Sequence, residues 1–190
     1  MLNTIRSSYY GGSRETVIHN GRNPIFFNPY VTKEDTVLAI GRLLDPAKQV
    51  NLLTEQAHPV PVCIVGADAV EQPSKVPVRA DVRFSDGNAG VALRGPQSES
   101  QLRLLYSRAG IYAGTSRYEP SGMAILEAAL SRCALLLNDI PSLREIWGPA
   151  AVYFRTNDAE SLAEAVRILS NDPNAAQLCQ PRIPAGARVI

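Results

Sequence analysis

The sequence predicts an α/β fold built on a doubly wound parallel sheet, and three observations support that prediction. Short apolar runs alternate with amphipathic ones along the chain, as in successive strand–helix units. The run at 134–137 is apolar throughout, as expected for a parallel strand covered on both faces. A length of 190 residues with 45% hydrophobic content allows one ordinary domain with a buried core.

Strands are predicted where short apolar runs are bounded by turn residues, namely 36–42, 61–66, 90–93, 111–113, 134–137 and, at an edge, 151–154. Helices are predicted where apolar residues recur with helical spacing, namely after a turn at 45–46 to about 57, and at 98–108, 121–132, 141–147 and 158–170. Ser98 is predicted to be the N-cap of its helix. Residues 67–88 are polar and contain proline, which predicts a long connection with room for a weak strand or short helix. Right-handed crossovers then place the functional loops at the carboxyl ends of the strands.

The charge balance excludes several partner classes. With 19 basic and 18 acidic residues the formal net charge is +1, which gives no field that would attract nucleic acid or an anionic membrane. No Lys/Arg run is interleaved with aromatic residues, so we expect no nucleic-acid partner. No apolar run approaches the roughly 18 residues of a membrane span, and the N-terminus has no signal-peptide core.

The cysteines and histidines predict neither disulfides nor a metal site. Cys63, Cys133 and Cys179 are odd in number and lack CxxC spacing. Cys63 and Cys133 lie in apolar runs, which favours reduced, buried thiols and a cytoplasmic location. His19 and His58 stand apart from each other and from cysteine, so we expect no bound metal and no metal cofactor.

The most informative segment is 117–128, RYEPSGMAILEA. Pro120 is predicted as a first helical residue, which leaves the amides of Ser121, Gly122 and Met123 free at a helix N-terminus. Gly122 would let a phosphate approach the backbone, and the helix dipole favours its charge.

Glu119 and Glu127 flank that predicted helix start, about 10 Å apart by helical rise. The separation suits an extended nucleoside-diphosphate sugar, with one carboxylate for sugar hydroxyls and the other for ribose hydroxyls. The alternative is that Glu119 only caps the helix and that Glu127 is a solvated surface residue.

A second segment, 41–48 (GRLLDPAK), follows the first predicted strand. Arg42 stands at the carboxyl end of that strand, where open α/β sheets bind ligands, and Lys48 opens the next predicted helix. The two cations could neutralise a pyrophosphate. In the alternative both are surface residues, and Lys48 pairs with Asp45.

Together the two segments predict one crevice with cations on one side and a helix N-terminus on the other. The sequence contains neither GxGxxG nor GxxxxGK[ST], which argues against dinucleotide and P-loop chemistry. No Ser-His-Asp or Cys-His arrangement is visible with only two histidines.

The order of these motifs resembles glycosyltransferase family 4 and its relatives with the two-domain GT-B architecture, each domain being Rossmann-like. The residues that carry the resemblance are 17–21 (VIHNG), 41–42, Lys48, 63–66 (CIVG), 93–95 (LRG), 105–109 (LYSRA), the E-x7-E pair and 138–145 (NDIPSLRE). The resemblance implies sugar transfer from a nucleoside-diphosphate sugar with retention of configuration and without a bound metal.

The resemblance also implies a role for each matching residue. It places the diphosphate on Arg42 and Lys48, with the amides of Gly122 and Met123 completing the phosphate cradle. Ser121 departs from the family, which commonly has an aromatic residue at this position.

For the remaining parts of the donor, the resemblance places the transferred sugar on Glu119 and the ribose on Glu127. The base would lie against the backbone of Arg94 and Gly95. Arg132 is a second departure, because the family usually has a small residue there.

The predicted domain is 17–172, with 1–16 as a linker or the stump of an N-terminal acceptor domain and 173–190 as an irregular tail. On this expectation the chain is the donor half of a transferase whose acceptor half is missing or comes from another chain. The alternatives are a truncated, non-catalytic nucleotide or nucleotide-sugar binding module and, less favoured, a fragment of a GT-B epimerase or phosphorylase. Exposed apolar surface near Tyr9, Tyr10, Phe26 and Phe27 is expected to favour self-association.

Overall fold

The computed structural model describes residues 20–42, 44–66, 78–79 (backbone only) and 90–171. Its strands are β1 (Glu34–Ile40), β2 (Val62–Val65), β3 (Val78–Arg79), β4 (Val91–Arg94), β5 (Ala109–Gly114), β6 (Ala134–Asn138) and β7 (Val152–Phe154). Its α-helices are α1 (Glu99–Arg108), α2 (Met123–Leu130), α3 (Pro141–Trp147) and α4 (Ala159–Asn171). Short 3-10 helices lie at Pro24–Phe26, Val50–Thr54 and Gly148–Ala150.

All of these strands form one sheet in the order β3-β4-β2-β1-β5-β6-β7, and every neighbouring pair is parallel. From β1 the chain moves outward to β2, then to the edge strand β3, and returns to β4 between them; from β5 it moves outward in the opposite direction to β7. The order therefore reverses between the adjacent strands β1 and β5, which is the switch point of a doubly wound sheet. The predicted fold class, a Rossmann-like doubly wound parallel sheet, is confirmed.

Two apolar layers cover the sheet. One contains the 3-10 helix Val50–Thr54 and α4, and the other contains α1, α2 and α3. Strand β6 is buried along its whole length because alternate residues enter opposite layers: Ala134 and Leu136 the first, Leu135 and Leu137 the second. The strand is apolar throughout because both of its faces are covered, as the sequence predicted.

Several element bounds are confirmed. Ser98 caps α1 in a capping box, since its hydroxyl accepts from the Gln101 amide at 3.3 Å and its amide donates to the Gln101 side chain at 2.9 Å. Helix α3 has its predicted bounds, and β7 is an edge strand. The short β3 falls within the predicted long connection.

The predicted helix after β1 is wrong. The chain makes turns instead and then the 3-10 helix Val50–Thr54. The Asp45 carboxylate accepts from the Ala47 amide at 2.9 Å, which stabilises a turn in competition with a helix. Gln49 then takes a left-handed conformation at φ 48°, and the 3-10 helix follows it.

The predicted burial of two cysteine thiols is confirmed, but the predicted exposure of Phe27 is wrong. Cys63 and Cys133 are free and buried, and burial raises the pKa of each to about 11. Exposed apolar surface is found near Phe26, where Ile25, Phe26 and Tyr30 are 80%, 53% and 82% exposed, but Phe27 itself is buried with residues of α1, contrary to expectation. Tyr9, Tyr10, Cys179 and the predicted segments 1–16 and 173–190 lie outside the described residues. Among the described helices, none has the length and apolarity needed to cross a bilayer.

Candidate functional site at the carboxyl edge of the sheet

The loops that follow β1 and β5 leave the sheet toward opposite layers, which opens a crevice at their carboxyl ends. Hydrogen bonds tie the two loops together. The Thr115 hydroxyl donates to the Lys48 carbonyl at 2.7 Å, and the Arg117 amide donates to the Ala47 carbonyl at 2.9 Å. The buried Asn138 amide, at the end of β6, donates to the carbonyls of Thr115 at 3.4 Å and Ser116 at 3.3 Å. The crevice walls are therefore fixed by the fold.

At the centre of the crevice Lys48 from one loop meets Glu119 from the other. Lys48 Nζ donates to Glu119 Oε2 at 2.7 Å, and their side chains are 37% and 13% exposed. The Ser116 hydroxyl also donates to Glu119 Oε2, at 3.2 Å, and the Gly122 amide donates to Oε1 at 3.0 Å. Burial by itself would raise the pKa of Glu119, but the hydrogen bonds from Lys48 and Gly122 outweigh it and lower the pKa. Glu119 is therefore a carboxylate at neutral pH.

Arg42 lies on the same loop but faces solvent. It follows the last residue of β1 by two positions, its side chain is 73% exposed, and it donates to Asp45 at 3.1 Å. The alternative in which Lys48 pairs with Asp45 is thus wrong, because Arg42 takes that partner. The predicted convergence of the two sequence segments is seen between Lys48 and Glu119.

The predicted helix N-terminus needs a correction. Helix α2 begins at Met123, and Pro120 and Ser121 precede it in the loop. Gly122 takes a left-handed conformation at φ 62°, which glycine adopts without strain, and its amide is occupied by Glu119. Ser121 and Gly122 therefore do not offer the free amides of a first helical turn. The positive end of the α2 dipole still lies at this edge, beside Lys48 and Glu119.

Glu127 lies within α2 and is largely covered. Its side chain is 12% exposed, and Arg22 Nε donates to its Oε1 at 2.6 Å. The alternative of a solvated surface glutamate is therefore wrong. Beside it lie two buried tyrosines, Tyr106 and Tyr112, whose pKa values are raised mainly by burial and further by the Glu127 charge. Sequence reasoning missed Arg22, whose only signal was its position directly after the Asn20-Gly21 dipeptide.

Arg94 and Gly95 lie further along the same edge. Arg94 ends β4 in register with Val65, the last residue of β2, and β2 separates β4 from β1. Two strand spacings make this about 10 Å from β1. The position of a Gly95 Cβ is open, with no atom within 4 Å, and Gly66, which follows β2, takes a left-handed φ of 85°. Open space over the backbone is thus found at Gly95, after β4.

Within the described ranges, no three His, Cys, Asp or Glu side chains come together as a metal ion requires. His58 is buried, and its Nε2 lies 3.1 Å from the Leu53 carbonyl. Burial, partly offset by that backbone contact, lowers the pKa of His58, which favours the neutral ring.

Solved structures share this fold at low sequence identity. Sucrose-phosphate synthase from Thermosynechococcus elongatus superposes with a TM-score of 0.68 and 19% identity over 94% of this chain and 49% of that one. The C-terminal domain of a group 1 glycosyl transferase family protein from Francisella tularensis gives 0.65 and 15% over 90% of this chain and 100% of that one. HepE from Anabaena, in complex with UDP-glucose, gives 0.65 and 17% over 87% and 50%. Such identities show the fold alone.

Comparison of sequences identifies the family to which the chain belongs. Glycogen synthase from Mycobacterium tuberculosis (strain CDC 1551 / Oshkosh) is 38% identical over 85 residues, which is 44% of this chain and 20% of that enzyme. The chain therefore matches about a fifth of the length of this relative. The family profile described as glycosyl transferases, group 1, matches residues 23–184. Because that match covers most of the sequence and includes the whole crevice, the chain belongs to the group 1 glycosyl transferases.

Proposed function

We propose that this domain binds the nucleoside-diphosphate-sugar donor of a retaining glycosyltransferase. The observation that carries the proposal is the Lys48–Glu119 pair at the switch point, where a cation and a carboxylate meet at the positive end of α2. A donor of this class needs both, a cation for the diphosphate and an acceptor for the sugar hydroxyls. Among the compared structures, HepE is a complex with UDP-glucose, a ligand of this class.

In the proposed complex Lys48 and Arg42 face the diphosphate. Lys48 has three N–H donors, and Glu119 takes one of them, so the others can turn to phosphate oxygens. Arg42 is exposed and pairs with Asp45 at 3.1 Å, so its planar guanidinium can turn to a phosphate. With the α2 dipole and the Met123 end of that helix, these groups would stabilise the charge that develops on the departing diphosphate.

Glu119 is proposed to accept hydrogen bonds from the transferred sugar, and Glu127 from the ribose. The base is proposed to lie against the backbone of Arg94 and Gly95. A carboxylate can accept about four hydrogen bonds, so Glu119 has room for a hydroxyl in addition to its three donors.

The proposed chemistry is a front-face displacement that requires no metal. The bond between the anomeric carbon and the diphosphate oxygen breaks, and the acceptor oxygen bonds to the same face of that carbon. The acceptor proton passes to the departing phosphate oxygen. The charges held by Lys48 and Arg42 lower the barrier because they act where negative charge increases.

The acceptor side of the reaction is proposed to come from a second domain or chain. The chain spans 49% and 50% of the two longer structures to which it was compared. Closure of a second domain over the crevice would exclude water and bring the acceptor to the donor. The second candidate function, nucleotide-sugar binding without turnover, is supported by the same partial coverage.

Two measurements test these proposals. Calorimetric titration with UDP, ADP, GDP and their glucose conjugates should show binding that depends on the diphosphate, with much weaker binding of the free nucleosides. Absence of binding by every nucleotide would refute the donor site. An assay of nucleoside diphosphate release with a broad acceptor mixture then separates the two candidates: acceptor-dependent release by this chain supports an active transferase, and tight binding without release supports the binding module.

A further inference from the structure

The segment before β1 brings an arginine onto the side chain proposed to hold the ribose. Arg22 Nε lies 2.6 Å from Glu127 Oε1, although 105 positions separate the two residues in the sequence. The side chain of Arg22 is 43% exposed and that of Glu127 is 12% exposed. The contact therefore lies at the boundary between the domain surface and a mostly covered carboxylate.

Arg22 is held in place by the residues that follow it. The Asn23 side chain accepts from the Ile25 amide at 3.1 Å and caps the 3-10 helix Pro24–Phe26. The Phe26 ring lies under the Arg103 guanidinium of α1 at 4.4 Å, and Phe27 is buried beneath α1. These anchors fix the backbone on which Arg22 stands.

We propose that Arg22 is a positioning residue of the ribose subsite, holding the Glu127 carboxylate so that its other oxygen accepts from the ribose hydroxyls. This inference rests on the proposed function, because it assumes that Glu127 faces a ribose. It adds to that function a residue from outside the E-x7-E motif and a reason for selectivity between ribonucleotides and deoxynucleotides.

The geometry of the contact indicates that Arg22 positions the Glu127 carboxylate and does not block it from a ribose. Arg22 contacts Glu127 through Nε on Oε1 and does not form the two-pronged contact that would occupy both carboxylate oxygens. Oε2 therefore retains its capacity to accept a hydroxyl. A carboxylate that is only 12% exposed also benefits from a cation beside it, because unpaired charge is costly away from water.

A second polar group, the hydroxyl of Tyr106, is buried beside Glu127. The Tyr106 side chain is 1% exposed, and its hydroxyl has no hydrogen bond of ordinary geometry in the described structure. Burial, with smaller contributions from Tyr112 and from Glu127, raises the pKa of Tyr106, so the hydroxyl keeps its proton. The contact between the Tyr106 hydroxyl and the Glu127 side chain contributes to that raised pKa, so Tyr106 supports the carboxylate from the buried side while Arg22 contacts it from the surface.

The test compares UDP with 2′,3′-dideoxy-UDP, and ADP with 2′,3′-dideoxy-ADP, in calorimetric titrations of four variants. Arg22→Ala should weaken binding of the ribonucleotide about five- to tenfold, the scale of one net hydrogen bond, and leave the dideoxynucleotide within about twofold. Glu127→Ala should do the same, and the double variant should be no weaker than Glu127→Ala alone, since both changes remove one interaction. Arg22→Lys should restore part of the loss because it keeps a cation beside Oε1.

Arg167→Ala is the matched control, because Arg167 also pairs with a glutamate, Glu164 on α4, at the surface. It should bind both nucleotides like the unchanged protein. Circular dichroism on each variant separates loss of fold from loss of selectivity.

Three results would overturn the inference. Tighter ribonucleotide binding by Arg22→Ala would show that the contact blocks the subsite, and equal losses for both nucleotides would show a role unrelated to the ribose. Additive losses in the double variant would show that Arg22 does not act through Glu127. Failure of the unchanged protein to bind UDP, ADP or GDP is a different result, which refutes the proposed function and the subsite with it.

Discussion

Two lysines at opposite edges of the same sheet differ in role: one stabilises the end of a helix, and the other lies in the candidate ligand site. Lys33 directly precedes β1, and its Nζ donates to the carbonyls of Tyr106 at 3.0 Å and Ser107 at 2.9 Å, in the last turn of α1. Lys48 follows β1 and donates to a carboxylate, Glu119, at 2.7 Å. Both are partly covered, yet their partners differ in kind.

The difference follows from what each edge contains. At the amino edge the carbonyls at the end of α1 need a donor, and Lys33 supplies one while its positive charge suits that end of the helix dipole. Burial lowers the pKa of Lys33, and the neighbouring Cys133 opposes that shift. At the carboxyl edge the partner of Lys48 is a side chain that a ligand can share. The structural lysine therefore lies in the segment that enters β1, and the candidate ligand-binding lysine lies in the loop that leaves it.

The largest expected effects come from replacing each lysine by methionine, which keeps the apolar stem and removes the charge. Lys48→Met should weaken binding of a nucleoside diphosphate by about 3 kcal/mol, since it removes a charge-assisted phosphate contact. Lys33→Met should lower the free energy of unfolding by about 1–2 kcal/mol, because two helix-end carbonyls lose their donor. It should leave the dissociation constant unchanged.

Calorimetry and urea denaturation of the two variants provide the comparison, with Arg167→Ala as a surface control. If Lys33→Met weakened nucleotide binding as much as Lys48→Met, the separation between the two edges would be wrong.

The next effect concerns Arg42. Arg42→Ala should weaken nucleoside-diphosphate binding by about 1.5–3 kcal/mol and leave the free nucleoside nearly unaffected, because the guanidinium is proposed to meet only phosphate. Arg155→Ala is the matched control: Arg155 pairs with Asp158 three residues on and is 75% exposed, as Arg42 pairs with Asp45 and is 73% exposed. Titrations with UDP and uridine measure both. Equal losses for nucleoside and diphosphate, or an equal loss in the control, would remove Arg42 from the phosphate site.

Replacement of each glutamate is expected to weaken binding of a different set of ligands, in each case by about 1–1.5 kcal/mol, the scale of one net hydrogen bond. Glu127→Ala should reduce affinity for UDP and UDP-glucose alike, since both contain ribose. Glu119→Ala should reduce affinity for UDP-glucose more than for UDP, since only the former carries the transferred sugar. Titration of both variants with both ligands tests the assignment, and the opposite pattern would mean that the ligand lies in the reverse direction along the edge.

The sequence predicted the sheet well because burial on two faces leaves a strong apolar signal. The 134–137 run and β6 coincide almost fully, and so do 111–113 and the centre of β5. The meeting of Lys48 with Glu119 was also predictable, since each follows a strand and the carboxyl ends of parallel strands share one edge. That inference needs the strand positions and no side-chain detail.

The parts that the sequence did not predict depend on local backbone choices and on distant contacts. Because Gly122 is left-handed, α2 begins only at Met123, and the Gly122 amide donates to Glu119. Glycine adopts left- and right-handed conformations about equally readily, so the sequence did not indicate which one occurs here. The Asp45 turn likewise prevails over the helical pattern that follows it. The Arg22–Glu127 contact joins residues 105 positions apart, where periodicity carries no information.

The smallest expected effect is the contribution of the Lys48–Glu119 pair to acid stability. The folded pKa of Glu119 lies below its ordinary value of 4.5, since the bonds from Lys48 and Gly122 outweigh burial. A depressed carboxyl pKa contributes stability above the unfolded value, and that contribution is lost as the pH falls through the folded value. With Lys48 at 37% exposure, solvent screens the pair, and we expect about 1 kcal/mol. Urea denaturation should therefore show Glu119→Gln about 1 kcal/mol less stable than the unchanged protein at pH 7, with the gap closing as the pH falls below 4.5.

As a control, Asp139→Asn, which breaks the more exposed pair with Arg144, should show a smaller loss of stability. A gap for Glu119→Gln that stayed constant from neutral to acid pH would show that its cost is loss of packing, and that the charge pair at the centre of the crevice does not stabilise the fold.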